Sequence, residues 1–188
     1  MNTEDQLLTD IQSGNTQAFS QLVEKYQDQM YSVCLSILKT KNEAQEATQD
    51  TFIKIYKSLE KYNRQSKFSS WAYRIAYRTS LDYIRKRKAT IDIDNVDHTV
   101  LSTVQSSDRQ LEQLELSNRL LEAIAYLPSE EAGLVRMFYL EEMSIQELMD
   151  ITGLSKSNTK VKLFRARKKL AEIIKTNFSE MESYLEMQ

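Results

Sequence analysis

Glycine and proline are nearly missing from this chain, at three and one among 188 residues. A sheet-rich fold relies on both for its tight turns, so their scarcity argues against one. Cysteine is scarcer still. Cys34 stands alone, no internal disulfide can form, and a reducing cytoplasm is the expected setting. It falls within an apolar helical pattern, which predicts a buried structural thiol and not a nucleophile. His98 is the single histidine, with no second His or Cys nearby to complete a metal site. The neighbouring stretch IDIDNVD lacks the glycine and terminal glutamate of an EF-hand loop. No run approaches eighteen apolar residues, so no membrane insertion is expected. The opening MNTEDQLLTD is acidic and has no apolar centre, unlike a signal peptide. A cytoplasmic protein without cofactor or metal is the expectation.

What is abundant is Glu, Lys, Leu, Gln and Ala, which favours helices, and the length suits one large or two small domains. Leu7, Leu8 and Ile11 mark a short helix over 3–12, ended by Gly14. Phe19, Leu22, Val23, Tyr26, Met30, Val33 and Ile37 step by three and four through a helix over 16–38. A third helix covers 42–60, with Phe52, Ile55, Tyr56 and Leu59 inward, and a fourth runs from about 69 to 87. Residues 89–108 lose the periodicity and are rich in Asp, Ser and Thr, which reads as an interdomain linker. Helical character resumes near Arg109. Pro128 stops it, and Ser129 is placed to cap a helix reaching Leu140. The fold class is therefore all-α: two small helical domains, 1–88 and 109–188, joined by a flexible linker at 89–108.

The net charge of −2 conceals segregation. Arg64 to Lys88 holds eight basic residues and one acid, Asp82; Lys156 to Lys175 again holds eight and one, Glu172. Removing both from 25 basic and 27 acidic residues leaves 9 and 25 elsewhere. Two basic islands in an acidic chain point to two separate polyanion contacts and exclude a uniformly basic nucleic-acid coat.

The second island has a recognisable shape. In SIQELMDITGLSKSNTKVKLFRARKKL, Ser144 precedes Ile145, Leu148 and Ile151 as a helix cap, and Gly153 offers the positive φ of a helix end. Ser155 then starts a helix striped by Leu163, Ala166 and Leu170. A helix-turn-helix with a basic second helix is the geometry that enters a DNA major groove, the alternative being a helical hairpin with a solvated basic face. In the first island Arg74, Arg78 and Arg85 share a narrow arc beside Trp71, Ile75, Tyr73 and Tyr77, and the run ends Arg85-Lys86-Arg87-Lys88. Arginines among aromatics suit single-stranded nucleic acid, where cations meet phosphate and flat groups stack on bases, the alternative being that Trp71, Ile75 and the tyrosines are simply core; the second basic island favours nucleic acid for the arginine row. Glu46, Gln49 and Asp50 form an acidic and amide patch at helical spacing; taken alone it is an ordinary solvated face.

Together, these stretches resemble bacterial RNA polymerase sigma factors of the extracytoplasmic-function (ECF) type, within the sigma-70 family. EATQDTFIKIYKSL is similar to region 2.2, FSSWAYRIAYRTSLDYIRKRK to regions 2.3 and 2.4, and the segment from Leu127 to Leu170 to region 4. The resemblance implies a subunit with no catalysis of its own that binds core polymerase and directs promoter recognition. It implies docking of Glu46, Gln49 and Asp50 on the β′ clamp helices, with the β flap as a further polymerase partner. It assigns Asn63, Arg64, Lys67 and Phe68 to a loop that holds a flipped −10 base. Trp71, Arg74, Arg78, Arg85, Lys86, Arg87 and Lys88 stand behind that loop. The −35 duplex falls to Ser155, Lys156, Ser157, Asn158 and Lys160 at the start of the last helix, and to Lys162, Arg165, Arg167 and Lys168 along it. An anti-sigma factor is a further implied partner. Met149 departs from the family's usual alanine, Thr48 from an apolar residue, and Ser157–Lys160 from a Gly-Thr-Val-Lys pattern.

Two other classes compete. A stand-alone helix-turn-helix regulator would bind duplex without polymerase and would leave the first basic island unused. A nuclease or recombinase would need clustered acids near the basic helices, where only Asp82 and Glu172 stand.

Overall fold

The computed structural model describes residues 3–90 and 119–178. Within them the chain forms α1 (Thr3–Gln12), α2 (Thr16–Leu38), α3 (Lys41–Ser58), a single 3-10 turn (Leu59–Lys61) and α4 (Phe68–Thr90). A helical stretch at 119–125 (α5) is followed by α6 (Ser129–Tyr139), α7 (Ile145–Thr152) and α8 (Lys156–Asn177). The expected linker, apart from its first two residues, and the acidic tail from 179 onward lie outside the described residues.

Local chemistry sets most helix ends. Asn15 Oδ1 accepts the free N–H groups of Gln17 and Ala18 at the start of α2. Ser144 and Glu147 cap α7 reciprocally: the Ser144 hydroxyl accepts from the Glu147 N–H, and the Glu147 carboxylate accepts from the Ser144 N–H. Gly153 ends α7 at φ 75°, and Ser155 accepts from Asn158 N–H to open α8. Ser129 does not cap α6 as expected. It is the first helical residue, and Pro128 takes the cap position without a side-chain bond.

Helices α2, α3 and α4 pack around Leu22, Met30, Val33, Ile37, Ile55 and Phe68, with α1 laid across α2. Cys34 is fully buried there, and burial raises its thiol pKa, as expected of a structural residue. Thr48 stays buried by returning its hydroxyl to the Ala44 carbonyl at 2.6 Å, which accommodates a polar residue at an apolar site. The C-terminal helices carry a second core of Ala123, Ile124, Leu127, Ala132, Val135, Ala166, Leu170 and Ile174.

The two units also meet directly. Helix α6 lies against α2, and α7 against α4, so that Leu134, Met137, Met143, Leu148 and Ile151 join the first core. Gly133 explains itself at this seam. Glycine inside a helix costs about 1 kcal/mol relative to alanine. A Cβ at position 133, however, would lie 2.8 Å from Ile37 Cγ1 and 3.0 Å from Ile37 Cδ1. Close approach of α6 to α2 requires its absence.

Lys39 also reaches across the seam. It ends α2 at φ 70°, and its ammonium donates to the Ile124 carbonyl at 3.4 Å. Burial lowers the Lys39 pKa to about 8. The folded chain then binds fewer protons than the unfolded chain between about pH 8 and the ordinary lysine value, so this group makes stability rise with pH in that window. Relative to Lys39→Met, the wild type gains stability from pH ~7.5 to ~9.5, measured as the difference between their denaturant midpoints.

Candidate nucleic-acid interface

The first turns of α8 are open. Lys156, Ser157, Asn158 and Lys160 are all exposed, because Thr159, Leu163, Ala166 and Leu170 turn the opposite side of the helix into the cores. Further along, Arg165, Arg167 and Lys168 are exposed as well, with Arg167 over the Phe164 ring at 5.9 Å. Lys162 differs: its ammonium is paired with Glu130 of α6, as Lys169 is with Glu131. Sequence spacing did not reveal these two pairs, since the partners stand 32 and 38 positions apart. Phe164 is the most exposed large apolar side chain among the described residues, at 61%, and breaks the otherwise basic outer face.

The first island is more mixed than its pattern predicts. Tyr73 and Tyr77 turn inward and are buried, so they do not border an open arginine row. Trp71 remains half-buried, tilted against Tyr62 at 5.1 Å and Phe68 at 5.8 Å. Phe68 itself is only 2% exposed, packed on Tyr26 and Tyr62 beneath the loop that was to present it. Asn63 braces that loop by accepting from Gln65 N–H, and Arg64 adopts φ 59° with its guanidinium on Thr9 and Gln12 of α1.

Beyond the loop, Lys67 pairs with Glu147 of α7 at 3.1 Å. Of the arginine row, Arg78 is exposed, Arg85 is exposed and held by Asp82 at 2.8 Å, and Arg74 is half-buried with an Nε that has no hydrogen-bond partner among the described residues. Arg87 is tied to Glu43 of α3 at 3.1 Å; Lys86 lies over the Tyr83 ring, and Lys88 belongs to the same last turns of α4.

On α3, Glu46 and Gln49 point to solvent, while Asp50 is half-buried and accepts from the Tyr83 hydroxyl at 2.9 Å. Burial first, then the Asp50 carboxylate, pushes the Tyr83 pKa up to about 12. The patch continues one turn on into Ile53, 50% exposed, and Tyr56. Tyr56 was expected inside the core. It instead lies on the surface with its edge against Phe19, since Ile55 and Phe52 already fill the inner side of α3.

An open, basic α8 behind a capped turn, on the same chain as an α4 whose last turns reach the acidic patch on α3 through Arg87–Glu43 and Tyr83–Asp50, fits the family resemblance. Comparison with known proteins agrees. Residues 22–90 match the sigma-70 region 2 model and residues 117–170 the sigma-70 region 4 model. The ECF RNA polymerase sigma factor SigW of Bacillus subtilis (strain 168) is 30% identical over 169 residues, covering 85% of this chain and 90% of SigW.

The chain belongs to the ECF sigma factors of the sigma-70 family.

SigM of the same bacterium is 31% identical over 152 residues, covering 80% of this sigma factor and 91% of SigM. Among solved structures, the sigma factor RpoE of Bartonella quintana, in complex with the anti-sigma factor NepR, shares the fold. Its TM-score is 0.70 at 18% identity, covering 85% of this chain and 98% of that one. Among the described residues no helix is long and apolar enough to cross a membrane.

Proposed function

We propose that this sigma factor docks on core RNA polymerase through the outer face of α3, melts and reads the −10 element with the loop and basic face of α4, and reads −35 duplex with α8. Residues 1–88 then form the docking and −10 unit, 89–108 the connection, and 109–188 the −35 unit. The observation that carries this reading is the pairing of two unlike basic surfaces on one chain. The open start of α8 suits a groove, where base edges and phosphates come within reach together. The Trp71 surface and the exposed Arg78 and Arg85 suit unpaired bases and their phosphates. A stand-alone regulator has no use for the second.

Glu46, Gln49 and Asp50 dock on the β′ clamp helices, and the −35 unit meets the β flap. Lys156, Ser157, Asn158 and Lys160, in the first turns of α8, meet base edges and phosphates. Lys162, Arg165, Arg167, Lys168 and Lys169 touch phosphates, which position the helix without specifying sequence. The chain works in the cytoplasm, contributes no catalysis of its own, and is held inactive by an anti-sigma factor that covers these surfaces.

Selecting DNA from a random library tests this reading. With core polymerase present, the full chain enriches fragments carrying two spaced blocks, the upstream one protected as duplex and the downstream one reactive as single strand. Enrichment of one duplex block, equally with and without core, would instead establish a stand-alone regulator. In the same assay Arg165→Ala weakens binding evenly across sequences and lowers the slope of log affinity against log salt by about one.

A further inference from the structure

The loop between the 3-10 turn and α4 holds a backbone conformation that its own residues do not favour. Arg64 stands at φ 59°, in the left-handed region that suits glycine or asparagine and not a long side chain. A residue kept there is kept by its surroundings. Within the loop, Asn63 Oδ1 accepts from Gln65 N–H at 3.2 Å, and the Tyr62 hydroxyl donates to the Ser66 carbonyl at 2.6 Å. From outside, the Arg64 guanidinium reaches α1, where Nη2 donates to Thr9 Oγ1 at 2.9 Å and to Gln12 Oε1 at 3.4 Å. Thr9 Oγ1 gives its own hydrogen to the Asp5 carbonyl at 2.8 Å, which leaves its lone pairs for Arg64. Glycine would take the same φ without strain, so what Arg64 adds to the loop is this hold on α1.

Helix α1 is a firm support. Leu8 and Ile11 are buried in the first core, and Glu4 pairs with Lys25 and accepts from the Tyr26 hydroxyl at 2.6 Å. Gln12 uses the other end of its amide as well: Nε2 donates to the Leu59 carbonyl at 3.1 Å. One side chain of α1 therefore ties together the 3-10 turn before the loop and Arg64 within it. Between these two points, Tyr62 carries the loop onto Trp71 at 5.1 Å and Phe68 at 5.8 Å.

We propose that α1 is the brace of the −10 loop, with Thr9, Gln12 and Arg64 as positioning residues that fix the loop's shape for one base without touching the strand. The inference rests on the proposed function, because the loop's shape matters only if the loop receives an unpaired base. A site discriminates best when its walls are set before the base arrives; a loop that yields accepts a wrong base with similar contacts. Releasing Arg64 from α1 therefore costs selectivity. Thr9 and Gln12 carry no charge, so their removal reaches the strand only through the loop.

Holoenzyme assembled from core polymerase and each variant is titrated with two single-stranded oligonucleotides. One carries the downstream block from the DNA selection, and the other has the most selective base of that block replaced. Thr9→Val combined with Gln12→Ala lowers the ratio of the two affinities about fivefold and leaves affinity for −35 duplex at the wild-type value. Arg64→Met gives the same loss, and adding it to the α1 pair brings no further loss, as for residues that act through one contact. Across salt concentrations Arg64→Met keeps the wild-type slope of log affinity, whereas loss of a phosphate contact on a single strand would lower it by about 0.7. An unchanged ratio in the α1 variant overturns the proposal, as does the lowered slope in Arg64→Met.

If the double substitution lowers helicity, Thr9→Val alone carries the test, since Thr9 is exposed and valine keeps its shape. The ratio falls in Thr9→Val and stays at the wild-type value in Thr9→Ser, which retains the hydroxyl; equal ratios in both are the contrary result. Wild-type holoenzyme that does not distinguish the two oligonucleotides would instead sink the proposed function itself, so the two failures are separable.

Discussion

Asp50→Lys lowers the affinity of the chain for core polymerase by at least tenfold, about 1.4 kcal/mol, while its affinity for −35 duplex stays the same. The carboxylate is the innermost of the α3 patch, half-buried between solvent and the Tyr83 hydroxyl at 2.9 Å. Reversal places a cation where the proposed docking has an anion meet the partner, and it also removes the acceptor that Tyr83 uses. That second effect costs the fold about 1 kcal/mol, the usual net value of one hydrogen bond. Asp50→Asn separates the two, because an amide oxygen still accepts from Tyr83 while the charge is gone. Asp50→Asn keeps wild-type stability and falls between wild type and Asp50→Lys in core affinity, as measured by titration of labelled core with each variant. Wild-type core affinity in Asp50→Lys would remove this patch from the docking surface.

Phe68→Ala destabilises the fold by about 3–5 kcal/mol, the range for emptying a buried aromatic site. Phe68 is 2% exposed and packs on Tyr26 at 5.3 Å, with Tyr62 and Trp71 at 5.8 Å each. For a chain of this length the loss corresponds to a fall of roughly 6–20 °C in the thermal midpoint. The experiment also decides what Phe68 does for the loop it follows. A core residue lowers the denaturant midpoint and weakens −10 binding only as Trp71 loses its support. A residue that stacks on a flipped base would cost DNA affinity and leave stability intact.

Much of the architecture was legible because it rests on local rules. The stripe from Leu22 to Ile37, the Ser144–Glu147 cap, the positive φ at Gly153 and the Ser155 cap each follow from chemistry within a few residues. Segregation of charge into two islands locates both basic surfaces from the sequence alone. Where the expectation missed, a tertiary choice had overridden a local one. Spacing places Tyr56 and Ile55 on adjoining parts of one helix, and only the packing of α3 on α2 decides that Ile55 goes in and Tyr56 stays out. Tyr73 and Tyr77 lay beside the arginine row on the helical wheel, yet α6 and α7 arrive to bury them.

The seam itself had no local signature. Tyr73 and Glu141 are 68 positions apart, Ser70 and Glu147 are 77, and periodicity carries no information at that range. Gly133 was its one trace in the sequence, an unfavourable residue inside a helix whose reason sits on another helix. The linker beyond residue 90, with His98, lies outside the described residues.

Transcription with purified components tests the central claim most directly. Core polymerase, a template carrying the selected two-block promoter and labelled nucleotides are combined with and without this chain. The account predicts transcripts of one defined start that appear only when the chain and core are both present, and that fall with Asp50→Lys. Transcripts that form equally without the chain, or a chain that occupies the promoter as well without core as with it, would contradict it.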